Sequence, residues 1–216
     1  MLGGGDGMAV REILKDQRVE RVTLVDLDPI MTDIFAGHDV FAALNDHALR
    51  SARVEVINAD AFVWLEANTD RYDFIVVDFP DPSNYSLGKL YTTTFYRRLA
   101  AHLAEGGVMA IQSTSPLVSR EAFWCIVETV RATGLHAAPY HAAIPSFGEW
   151  GYVVASRTPF QVPDRFPKTL RFLTPAIARS LFEFPPDMDQ VPVKVNHLNN
   201  QVLVQYHTNG WDRYSQ

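Results

Sequence analysis

The stretch Phe74-Ile-Val-Val-Asp-Phe-Pro-Asp-Pro82 decides how the chain folds. Four apolar residues in a row, mostly β-branched, read as a short strand buried on both faces. Asp78 follows at once, and Asp81 stands three residues on, with Phe79-Pro80 stiffening the turn between them. Two carboxylates at the end of a buried strand suit an open α/β sheet, in which ligands bind beyond the carboxyl ends of the strands.

The pattern repeats outward from this stretch. Met1-Leu2 precede a glycine-rich turn, Gly3-Gly-Gly-Asp-Gly7, and a helix from Met8 to about Lys15. Val19–Val25 reads as a strand ending at Asp26-Leu-Asp28, and Pro29 to about Leu44 as one helix with Gly37 inside it. Val54–Ile57 is a strand ending at Asn58-Ala-Asp60, followed by a short helix over Ala61–Ala67. Downstream, a helix over Thr94–Ala104 stops at Glu105-Gly-Gly107, and Val108–Gln112 is a strand. Arg120–Thr133 is a helix ended by Gly134, and Tyr152–Ser156 a late strand. Alternating strands and helices predict an α/β fold with a doubly wound, mostly parallel, Rossmann-like sheet. Residues 1–157 are expected to form this domain. From residue 158 prolines break the pattern; Thr174-Pro175 opens a short helix, and the Val/Tyr alternation from Val191 to Trp211 predicts an edge strand. Residues 158–216 read as an appendage packed on the same domain.

The first four strand ends therefore carry Gly3 to Gly7, Asp26 with Asp28, Asp60, and Asp78 with Asp81, and are expected to meet in one crevice. Gly3, Gly4 and Gly5 let the backbone approach a ligand closely. Asp26, about 20 residues on, is placed to accept both ribose hydroxyls of a nucleoside. Asp60 is placed to reach the adenine edge. Taken singly, each acid is more simply a strand-end or helix-capping residue; as a set they describe an adenosine pocket. Asp6 inside the loop opposes a pyrophosphate and, with Asp78 and Asp81, suits a nucleoside that carries a cation.

The remaining composition agrees. The net charge of −6 speaks against nucleic acid as the partner, because phosphate binding needs surplus Lys and Arg. Cys125, the single cysteine, lies in the apolar run Ala-Phe-Trp-Cys-Ile-Val and reads as a core thiol. Seven His residues show no ligand spacing, so no metal is expected. No run approaches the roughly 18 apolar residues of a membrane span, and no signal-peptide pattern opens the chain, so a cytoplasmic protein is expected.

In order, G-G-G-D-G, V-D-L-D, N-A-D-A, D-F-P-D-P, I-Q-S-T-S-P and I-P-S-F-G-E-W-G-Y resemble the spermidine synthase family of polyamine aminopropyltransferases over roughly residues 1–157. The stretch D-P-S-N-Y-S-L-G-K-L-Y-T-T-T-F-Y and the tail from R-F-L-T-P to V-N-H-L-N-N are most similar to the bacterial branch whose catalytic domain follows transmembrane helices. The resemblance implies an S-adenosylmethionine-dependent methyltransferase type of fold. It also implies transfer of an aminopropyl group from decarboxylated S-adenosylmethionine, as co-substrate, to an amine such as putrescine, releasing methylthioadenosine without a metal. Asp78 matches the family's catalytic acid. Asp6, Asp81 and Gln112 match groups around the polyamine, with Glu149 a substitute acid nearby. Asp60 and Ala61 match the adenine pair, and Tyr85 lies next to the nucleoside. Asp26 stands where Glu is usual, and Phe147 where many members have Tyr. A homodimer is implied, and for longer forms a fusion to membrane helices at the cytoplasmic face.

The same residues leave two other readings: a methyltransferase using intact S-adenosylmethionine, which Asp6 disfavours by repelling the methionine carboxylate, and a non-catalytic polyamine- or nucleoside-binding relative. The chain opens two residues before the glycine turn, whereas strands run about five. The expectation is that most of the first strand and the family's upstream β-rich segment are missing, and that this chain binds methylthioadenosine but turns over amine slowly or not at all.

Overall fold

The computed structural model describes residues 1–214. They divide into two compact units: Met1–Asp70 with Ile75–Phe79, and Arg71–Phe74 with Pro80 onward.

The first unit begins with β1 (Leu2–Gly3), α1 (Met8–Leu14) and β2 (Val22–Asp26). Two helices follow, α2 (Pro29–Gly37) and α3 (Asp39–Leu44), then β3 (Val54–Asn58), α4 (Ala61–Ala67) and β4 (Tyr72–Asp78), whose first residues belong to the other unit. β1 runs parallel to both β2 and β4, with Leu2 opposite Val25 and Gly3 opposite Asp78, and β2 runs parallel to β3. Val10, Val22, Leu24, Ala48 and Leu49 form the core beneath β2, joined by Phe35, Val54 and Val56. Residues Val22 to Val25 of β2 are all buried, Thr23 included, because both faces of the strand are covered. The single helix expected over 29–44 is instead two. His38, extended at φ −91° and ψ 119°, ends α2 and opens α3 directly after Gly37, whose flexibility makes it a poor helix-interior residue.

The second unit holds α5 (Tyr85–Gly88), α6 (Thr93–His102), β5 (Leu103–Gln112), α7 (Arg120–Arg131), β6 (His136–Ile144), β7 (Gly148–Ser156), α8 (Pro175–Ser180) and α9 (Val202–Tyr214). β5 pairs antiparallel with β7, and β7 with β6. The strands of the sheet run in the order β3-β2-β1-β4-β5-β7-β6. The core gathers Phe95, Leu99, Met109, Ile111, Phe123, Ile126, Val127, Val130, Val153 and Leu203, all fully buried.

Three expectations are corrected here. β6 escaped the sequence reading because His-Ala-Ala-Pro-Tyr-His-Ala-Ala-Ile is short of β-branched residues; as the outermost strand it tolerates Pro139. β5 begins at Leu103, so Glu105-Gly-Gly107 lies within a strand rather than closing a helix. The tail adds a helix, α9, and no edge strand. Its buried residues Leu203, Val204, His207 and Gly210 recur at helical spacing, which the local alternation of Val-Leu-Val-Gln-Tyr-His conceals. Gly210 lets α9 approach the start of α7: a Cβ there would lie 2.5 Å from Ser119 Oγ. The short helix α8 is capped as expected, Thr174 accepting the N–H of Ile177 with Pro175 in the first turn.

Candidate active site

In the first unit the glycine turn is built around two carboxylates. Gly3 has φ 76°, and a Cβ on it would lie 2.2 Å from the backbone oxygen of Asp78, so no other residue fits. Gly4 also has a positive φ, and a Cβ there would lie 3.3 Å from Asp78 Oδ2. The N–H of Gly5 donates to Asp26 Oδ2 at 2.8 Å, and Asp28 N donates to the other oxygen, Oδ1, at 2.9 Å. Asp26 thus holds the turn and the end of β2 together while keeping part of its surface open.

Asp6 accepts the N–H of Met8 at 3.0 Å, and its carbonyl accepts Asn45 Nδ2 at 2.9 Å, which fixes the loop ahead of α1. Asp78 keeps contact with solvent, yet its carboxyl is raised above the ordinary aspartate range, first by partial loss of hydration and second by the charge of Asp6. Asp60 caps α4, accepting the N–H of Phe62 at 2.8 Å, with Ala61 buried behind it. The N–H of Ala59 donates to the Asp26 carbonyl at 3.0 Å, so the ends of β2 and β3 are tied side by side. Asp28, which was grouped with these acids, is a helix cap, accepting from Ile30 and Met31. Phe79, in the turn between the two acids, is only 7% exposed, and its ring lies close to Gly3 in the core.

In the second unit the central group is Asp81. Its Oδ1 accepts Gln112 Nε2 at 2.9 Å, from the end of β5. Its Oδ2 accepts Thr114 Oγ1 at 2.7 Å and faces His207 Nε2, on α9, at 3.1 Å. Tyr91 supports the same turn, its hydroxyl donating to the Pro80 carbonyl at 3.0 Å. Glu149, on β7, faces His141 Nδ1 at 2.5 Å, and the other ring nitrogen lies 2.8 Å from the Glu183 carbonyl. An amine that used Glu149 would have to compete with His141. Phe147 is exposed at the β6–β7 turn, its ring centroid 5.3 Å from that of Trp150. Tyr85, the first residue of α5, is 67% exposed.

The structure thus brings Gly3–Gly5, Asp6, Asp26, Asp60, Ala61 and Asp78 into the first unit, and Asp81 with Gln112 into the second. Thr114 and His207 were missed. Thr114 could have been suspected from its place just after a strand end; His207 lay in a tail read as a strand.

Residues 1–163 match the family model described as the spermine/spermidine synthase domain. The chain belongs to this family. Among family members similar to it is the polyamine aminopropyltransferase of Leptospira interrogans, 50% identical over 213 residues that cover 99% of this chain and 43% of that protein. Polyamine aminopropyltransferase 2 of Ralstonia nicotianae is 48% identical over 98% of this chain and 42% of that protein. The chain therefore spans less than half the length of the curated relatives it matches. The spermidine synthase of Thermotoga maritima superposes with a TM-score of 0.73 at 22% identity, over 85% of this chain and 64% of that one. A spermidine synthase solved in complex with the transition state analogue AdoDATO gives 0.75 at 23% identity, over 85% and 65%. The fold is accordingly the Rossmann-like, methyltransferase-type α/β fold of the family, with a mixed sheet.

Proposed function

We propose that this chain is the catalytic domain of a polyamine aminopropyltransferase, which moves an aminopropyl group from decarboxylated S-adenosylmethionine to an amine such as putrescine. The observation that carries the reading is Asp78, a carboxyl raised by lost hydration and by Asp6, at the edge of a glycine turn. An alkylammonium has a pKa near 10 and presents no lone pair at neutral pH. A carboxylate with a raised pKa is the better base for such a proton. The amine nitrogen then attacks the methylene carbon next to the sulfonium; the N–C bond forms, the C–S bond breaks, and its electron pair stays on sulfur. The amine's proton passes to Asp78, and neutral methylthioadenosine leaves.

In this reading Gly3, Gly4 and Gly5 lie against the nucleoside, Asp26 takes the ribose hydroxyls, Asp60 and Ala61 the adenine, and Tyr85 is a further nucleoside-binding residue. Asp6 faces the amine of the aminopropyl group, and Asp81 with Gln112 holds the acceptor amine, Glu149 standing further out. Residues 158–214 serve the domain as an appendage, which the contact of His207 with Asp81 supports. The reading includes a homodimer and a cytoplasmic domain, joined in longer forms to membrane helices; among the described residues no helix is long and apolar enough to cross a membrane.

Turnover with decarboxylated and with intact S-adenosylmethionine, each against several amines, tests the proposal. Methylthioadenosine formed only with the decarboxylated compound supports it. Methyl transfer from the intact compound would make the chain a methyltransferase, and binding of both partners without turnover would make it a non-catalytic relative.

A further inference from the structure

We infer that His207, together with Thr114, is a positioning residue that fixes Asp81 so that it offers one acceptor direction to a cationic amine. The inference rests on the reading above, in which Asp81 holds the acceptor.

An ionised carboxylate has about four lone-pair sites. Three are taken: Gln112 occupies one on Oδ1, while Thr114 and His207 share Oδ2. A carboxylate oxygen accepts, so the contact is a hydrogen bond in the tautomer of His207 that carries its proton on Nε2. A carboxylate held by donors on both oxygens cannot rotate to follow a ligand, so the fourth site has a fixed direction. The side chains of His207 and Asp81 are 10% and 18% exposed, which keeps water from replacing either donor freely.

The threonine shows that this arrangement is imposed on the chain. Thr114 is fully buried and has φ 61°, a conformation that a β-branched residue rarely adopts and only under strain. It is kept there by two flanking bonds: Gly151 N donates to the Thr114 carbonyl at 2.7 Å, and Ser113 N to the Gly151 carbonyl at 3.0 Å. Glycine would adopt the same backbone without strain but has no hydroxyl for Asp81. His207 comes from a different element, α9, which lies beyond the residues 1–163 matched by the family model. Two elements distant in sequence therefore deliver donors to one oxygen. A histidine that merely anchored α9 would need only some polar partner.

The test is calorimetric titration of the protein with putrescine, with methylthioadenosine as a control for the first unit. His207→Leu is expected to weaken putrescine binding about tenfold or more, with methylthioadenosine affinity unchanged. His207→Gln, which can place an amide N–H near the position of Nε2, should recover most of the loss. In turnover the loss should appear mainly in KM for the amine rather than in kcat. Thr114→Gly, which relieves the backbone and deletes the donor, should also weaken putrescine binding, and Thr114→Ser should not; this pair decides the matter if His207→Leu fails to fold. Unchanged putrescine affinity in folded His207→Leu or in Thr114→Gly would overturn the inference and leave the proposed function standing. A wild-type protein that binds methylthioadenosine but no diamine would remove the assigned role of Asp81, and this inference with it.

Discussion

Asp26 Oδ2 accepts the backbone N–H of Gly5 at 2.8 Å, so the residue proposed to hold the ribose also closes the glycine turn. Replacing it should therefore have two effects. Asp26→Ala is expected to weaken methylthioadenosine binding by about 2–3 kcal/mol, because charge-assisted hydrogen bonds are lost. It should also lower the melting temperature, since the N–H groups of Gly5 and Asp28 lose their acceptor. Calorimetry and thermal melts measure the two separately. A lower melting temperature with unchanged nucleoside affinity would place the ribose elsewhere.

The raised carboxyl of Asp78 predicts a stability effect of definite sign. A carboxyl with a higher pKa in the folded than in the unfolded state binds extra protons when folded, so its contribution is favourable at low pH and is lost as pH rises through the folded value. Asp78→Asn removes that titration. The variant should melt higher than the wild type at pH 7–8, and the difference should vanish below the ordinary aspartate pKa of about 3.9. A variant that melts lower at pH 7–8 would show that the charged form is stabilised rather than strained.

Asp6 should act on cofactor choice. In the proposed reading its carboxylate would meet only an ammonium in the decarboxylated compound but an additional carboxylate in the intact one. Asp6→Asn should narrow the difference in affinity between the two. Tighter binding of the intact compound by the wild type would contradict the assigned position of Asp6.

Cys125 should be chemically silent. It is fully buried, and burial pushes its thiol up to about 12, far from the thiolate form that reacts. Native protein should leave it unmodified by a thiol reagent that labels it at once in denaturant. Rapid labelling of the native state would mean that α7 opens locally.

Much of this was legible in the sequence. The strand ends that carry Asp26, Asp60 and Asp78 were readable because each follows a stretch rich in Val and Ile and is marked by a polar residue, although only β2 is buried along its first four residues, while β3 exposes Glu55 and β4 exposes Phe74. Helix starts at Asp60 and Thr174 followed from capping chemistry. What stayed hidden depended on distant packing. β6 is made of weak strand formers and is specified by its pairing with β7, from His136 opposite Ser156 to Ile144 opposite Gly148. α9 begins with a run that fits either period, and its burial against α7 settles the choice. The clamp on Asp81 could not be read locally, because Gln112 and Thr114 come from one stretch about 30 residues on and His207 from the distant helix α9.

The most direct test of the central claim is the reaction of Asp78→Asn beside the wild type, with decarboxylated S-adenosylmethionine and putrescine, followed by mass spectrometry of both products. The wild type should release one methylthioadenosine for each amine that gains an aminopropyl group, and Asp78→Asn should do so about 10²- to 10⁴-fold more slowly with methylthioadenosine affinity little changed. Near-normal turnover by Asp78→Asn would contradict the account, for the amine would then lose its proton to some other group.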